Sequence, residues 1–114
     1  MDEQGMLTFY SLQNIAPKGL KPSMKLVEQA KGYYEERQVG VTRMYQAMGA
    51  SHRIDALLRV FNTEINKSWV VIPEDGEQYA IDAFQKVIGK DAIDLTLVKV
   101  TEEHEIYIEP TTTN

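Results

Sequence analysis

Residues 68–100, SWVVIPEDGEQYAIDAFQKVIGKDAIDLTLVKV, decide the fold. Trp69-Val70-Val71-Ile72 is a short apolar run rich in β-branched residues. It ends at Pro73-Glu74-Asp75-Gly76, where proline presets a turn and Asp-Gly supplies the positive-φ position that a hairpin needs. Beyond the turn a strand opens at Glu77, puts Tyr79, Ile81 and Ala83 on one face and runs to Val87. Gly89-Lys90-Asp91 breaks it, after which Ile93, Leu95 and Leu97 alternate with Asp94 and Thr96. Two hairpins in series predict an antiparallel meander, with Trp69, Tyr79 and Phe84 in its core or on its rim.

Towards the N-terminus the same period of two continues: Ile54, Ala56, Leu58 and Val60 share one face of a predicted strand, with Arg53, Asp55 and Arg59 on the other. Residues 42–48 fit a short helix capped by Thr42 and ended by Gly49, or a loop. Residues 24–39 point two ways. Glu28, Gln29, Ala30, Lys31, Glu35, Glu36 and Arg37 favour a helix that Ser23 could cap, whereas Gly32 and Tyr33-Tyr34 fit a long strand. Residues 6–12 (MLTFYSL) read as a strand, and Pro17-Lys18-Gly19-Leu20-Lys21-Pro22 as a surface loop. Towards the C-terminus, Ile106 and Ile108 are candidates for an edge strand before Thr111-Thr112-Thr113-Asn114, which has no reason to be ordered.

A chain of 114 residues, 43% apolar and 25% charged, predicts a single folded domain over residues 1–110. With no cysteine, disulfides, thiolate metal sites and cysteine nucleophiles are all excluded. No apolar run approaches the roughly 18 to 20 residues of a membrane span, and Asp2 and Glu3 stand where a signal sequence would be basic; both predict an intracellular protein without a membrane partner. His52 and His104 are far apart and belong to no metal-binding spacing, and no GxSxG, GxxxxGK[ST] or GxGxxG occurs. Acidic neighbours such as Asp91 with Asp94, or Asp75 with Glu77, read as solvated turn and strand carboxylates. The expectation is a protein that is not an enzyme and uses no metal or cofactor.

Charge is unevenly placed. All four arginines (Arg37, Arg43, Arg53 and Arg59) fall within residues 37–59, where Asp55 is the only acid, so that stretch carries +3 and the remainder −8 of the net −5. A solvated face or a basic loop on an acidic body would both give this distribution.

The succession Glu36-Arg37-Gln38-Val39-Gly40-Val41-Thr42-Arg43-Met44-Tyr45-Gln46-Ala47, then Ile54-Asp55-Ala56-Leu57-Leu58-Arg59-Val60, then Asp75-Gly76-Glu77-Gln78-Tyr79-Ala80-Ile81, then Ile93-Asp94-Leu95-Thr96-Leu97 resembles the head closure (head-tail joining, stopper) proteins of tailed bacteriophages, in order and spacing over residues 6–100. The resemblance implies a mainly β fold, a small antiparallel β-barrel or sandwich of about six strands. Residues 26–39 would then be a long strand, with a long loop or short helix between strands 2 and 3. It further implies a virion protein at the head-tail interface, made in the host cytoplasm, that forms a homo-oligomeric ring of about six or about twelve copies. Portal and adaptor proteins would be its partners on the head side and a tail completion protein on the tail side. The connection between strands 2 and 3 would be the channel plug facing the packaged DNA end, so Arg43, Met44, Tyr45, Gln46, Met48, His52 and Arg53 become the candidate site. The chain departs from the family in its extra residues 102–114 and in Ala80. Two other classes fit the same composition: a tail completion or terminator ring subunit, and a small phage-encoded binding protein that inhibits a host defence factor.

Overall fold

The computed structural model describes residues 4–36 and 54–108. Six strands, β1 (Gln4–Asn14), β2 (Met24–Glu36), β3 (Ala56–Phe61), β4 (Val70–Ile72), β5 (Tyr79–Lys86) and β6 (Ala92–Lys99), form one antiparallel sheet closed in the order β1-β2-β3-β6-β5-β4. The fold is therefore the small antiparallel barrel, not the sandwich. The expected meander is present as β4, β5 and β6, paired in sequence order. Its first turn is the expected one: Gly76 takes φ 77 and donates its N–H to the Pro73 carbonyl at 3.1 Å.

The barrel interior is filled by the alternate residues of every strand. Leu7 and Phe9 of β1, Tyr34 of β2, Leu58 and Val60 of β3, Val71 of β4, Tyr79 and Ile81 of β5, and Ile93, Leu95 and Leu97 of β6 make one buried cluster. Each such side chain contributes on the order of 1.5 to 3 kcal/mol relative to staying in water. β3 and β4 lie across the barrel from one another, so the connection between them, residues 62–69, spans one end of it. Ile65 and Trp69 of that connection pack on the core, and the Trp69 ring tilts against Phe9 with centroids 5.5 Å apart. This end is closed; among the described residues the other is a mouth.

Several elements differ from their sequence pattern for definable reasons. Of the two readings of residues 24–39 the long strand implied by the resemblance holds over 24–36, because Ala30, Gly32 and Tyr34 lie opposite Phe9, Leu7 and Gly5 and so share the inner face with the core. The strand predicted from residue 53 begins at Ala56. In β5 a bulge between Ile81 and Ala83 breaks the predicted face. Ala83 then pairs with Thr96, and Phe84, opposite Leu95, remains 41% exposed at the rim. The predicted C-terminal edge strand is reduced to a single parallel bridge from Ile106 to Leu26, and Ile108 is exposed. The proposed helix or loop at 42–48 and the tail at 111–114 lie outside the described residues.

Beyond the barrel, β1 and β2 continue as a two-stranded arm, paired from Tyr10 with Glu28 to Asn14 with Met24. A second bulge, between Phe9 and Tyr10, marks where barrel becomes arm. The chain after β6 returns to this arm. Leu26 donates its N–H to the Glu105 carbonyl at 2.9 Å and accepts from Tyr107 at 2.8 Å, and Lys25 pairs with the Glu105 carboxylate. Upstream, Gln78 and His104 exchange two hydrogen bonds between side-chain amide and backbone, of 2.8 and 3.1 Å. His104, the one histidine among the described residues, is thus held through its backbone.

Candidate functional site

Arg43, Met44, Tyr45, Gln46, Met48, His52 and Arg53 all lie outside the described residues. The structure does place the two strand ends that bracket them. Glu36, the last residue of β2, and Asp55 with Ala56, at the start of β3, line one cavity of about 460 Å³ at the barrel mouth. Its inner wall is apolar and aromatic, formed by Leu58, Ala56, Tyr34 and Tyr79, and its rim carries Glu36, Asp55, Glu74 and Asp75.

This rim is built by backbone hydrogen bonds to carboxylates. Asp55 accepts the Lys99 N–H at 2.8 Å while its own N–H donates to the Leu97 carbonyl at 2.9 Å, tying the entry of β3 to the end of β6. Glu74 accepts the Met6 N–H at 2.7 Å, which draws the β4–β5 turn onto the start of β1. Gly5 permits this approach, because a Cβ there would stand 2.0 Å from the Glu74 carboxylate. Asp75 accepts the Glu77 N–H at 2.9 Å through Oδ1 and the Tyr79 hydroxyl at 2.8 Å through Oδ2.

The tyrosines at the mouth are held neutral. Burial, then the hydrogen bond to Asp75 and the negative charge around it, pushes the Tyr79 phenol far above its ordinary range. Burial raises Tyr34 as well; the Glu74 N–H donated to its oxygen opposes this, and the charges of Glu74, Asp75 and Glu36 add to it. Among the described residues no group of three or more His, Asp or Glu is arranged to hold a metal ion. No described helix is long and apolar enough to cross a membrane.

Arg59 is the one arginine of the basic stretch that the structure describes, and it belongs to the barrel wall. Its Nε donates to Asp94 Oδ1 at 2.7 Å and its Nη2 to Oδ2 at 3.1 Å. The two residues are cross-strand partners on β3 and β6, and Asp94 holds the guanidinium more firmly protonated than usual. Asp94 is therefore not merely the solvated carboxylate its sequence position predicts. The register makes the pair, and an alternation pattern alone contains no register. The sequence also missed the mouth, since Tyr34, Tyr79, Glu74 and Asp75 come from three segments that only barrel closure brings together.

In comparison with known proteins, the chain matches no family model and no curated protein.

Proposed function

We propose that this chain is a head closure subunit of a tailed phage virion, assembling as a ring at the head-tail connector. It closes the DNA exit channel after packaging and offers the tail its docking surface. The carrying observation is the placement of the two strand ends: Glu36 and Asp55, which bracket residues 37–53 in the sequence, lie on one mouth. Both ends of the connection are thus fixed on one rim, which is what a plug between strands 2 and 3 requires. The segment also holds three of the four arginines, while the described rim is acidic. Positive charge for a packed DNA end is therefore sought in the segment, since the described rim itself presents carboxylates.

Arg43→Glu with Arg53→Glu tests this reading. A loop arginine typically contributes a few tenths of a kcal/mol to stability, so the melting temperature should hold. Summed over about six to about twelve copies, the reversal replaces attraction to phosphate with repulsion. Heads carrying the variant should show a larger nuclease-sensitive fraction of DNA than wild type. If they bind the protein normally and retain DNA as well as wild type at low salt, the electrostatic plug is wrong.

A further inference from the structure

Of the ten exposed large apolar side chains among the described residues, six lie on the β1–β2 arm and the C-terminal segment beside it: Leu12, Ile15, Leu20, Met24, Ile106 and Ile108. The tip of the arm is a short loop between two prolines, with Leu20 64% exposed between Lys18 and Lys21. No acid occurs from Asn14 to Lys25, so the tip is basic as well as apolar. The described rim of the mouth is its complement. An acidic turn, whose Glu74 and Asp75 line the cavity and whose Glu77 follows them in sequence, borders a space of about 460 Å³ with a wall of Leu58, Tyr34 and Tyr79 that could receive a leucine side chain. Tip and mouth sit at opposite ends of β1, whose eleven residues run from Gln4 at the cavity to Asn14 at the base of the tip loop.

From this charge and shape complementarity we infer that one copy of the chain docks its arm tip, Lys18-Gly19-Leu20-Lys21, on the acidic mouth of a second copy. Leucine fills the cavity and the flanking lysines meet the carboxylates of the turn. Because different surfaces meet, the contact is heterologous and can propagate from copy to copy. Its closure into a ring rests on the proposed head closure function; the contact itself does not.

Sedimentation of the purified full chain up to its solubility limit provides the test. Lys18→Glu with Lys21→Glu, and separately Glu74→Lys with Glu77→Lys, should each weaken self-association by about tenfold, and the four changes together should restore it. Leu20→Asp should weaken it as well. Glu77→Lys alone, which leaves the Glu74 bond to Met6 in place, guards against an effect through folding, with melting temperature as the control. A chain that stays monomeric throughout, or a tip variant that associates like wild type, overturns the inference. If isolated connectors hold the tip variant as a complete ring, the docking contact fails and the ring reading stands. If the charge swap behaves as expected but connectors lack the protein, the contact stands and the ring reading fails.

Discussion

Tyr79 shows how one residue joins the core to the mouth. Its ring is buried with Ile81 and Leu97, and its hydroxyl reaches the Asp75 carboxylate of the turn that Gly76 closes. Tyr79→Phe keeps the packing and removes one hydrogen bond, at a cost of about 1 kcal/mol. The pH dependence is more telling. A phenol raised in the folded state gives stability that is complete below its unfolded value, near the ordinary pKa of 10.0, and lost as the pH climbs towards the raised value. Wild type should therefore lose stability between about pH 9 and about pH 11, and Tyr79→Phe should lose less, the remainder coming from Tyr34 and ordinary surface groups. Denaturant unfolding at the two pH values measures it; equal losses in both proteins would sever burial of this hydroxyl from alkaline stability. Residues of this kind were half legible. Tyr79 was recognisable as core by its alternation with Ile81, but its bond to Asp75, like the pairing of Arg59 with Asp94, depends on turn geometry and register that periodicity does not carry.

Among elements, legibility followed the strength of the period. The meander and β3 were readable because one face is consistently apolar and Asp-Gly marks the turn. β2 was not, since Glu28, Gln29, Ala30 and Lys31 are good helix formers that pairing with β1 overrides, and the bulges in β1–β2 and β5 have no signal in single residue types. The C-terminal segment was the least readable element. Its Ile106 and Ile108 suggest a strand, whereas one bridge, the Gln78–His104 exchange and the Lys25–Glu105 pair do the attachment. That attachment covers Leu26, which is fully buried outside the main cluster. Truncation before His104 should expose Leu26 and release these bonds, costing about 2 to 4 kcal/mol and lowering the melting temperature by about 10 °C or more. A truncated chain that melts like wild type would show that the segment merely lies on the arm. The exposed Glu105 carboxyl is held below its ordinary range by Lys25, so its small contribution is present at neutral pH and disappears as acid protonates it.

For the whole molecule, the division into closed barrel and projecting arm predicts where the chain opens first. The cluster from Leu7 to Leu97 is continuous through all six strands, and β3, β5 and β6 have a hydrogen-bonded neighbour on each side. Their amides open only with the whole barrel, apart from frayed ends. In the arm, by contrast, β1 beyond Tyr10 pairs with β2 alone, and the outer side of β2 there is met by a single bridge. Two-stranded ribbons are marginal on their own, so the arm should open locally at a fraction of the global free energy. Native-state amide exchange on a sample shown to be monomeric should give the slowest rates in residues 57–60, 80–82 and 93–97, and rates faster by about a hundredfold or more in residues 12–14 and 24–25. The same measurement at concentrations where copies associate bears on docking through the arm: protection should rise in residues 12–24 and at the 73–78 turn together. Arm amides as slow as those of β6 in the monomer would mean that the arm is part of the barrel's cooperative unit, and a rigid projection instead of an element that a second copy orders.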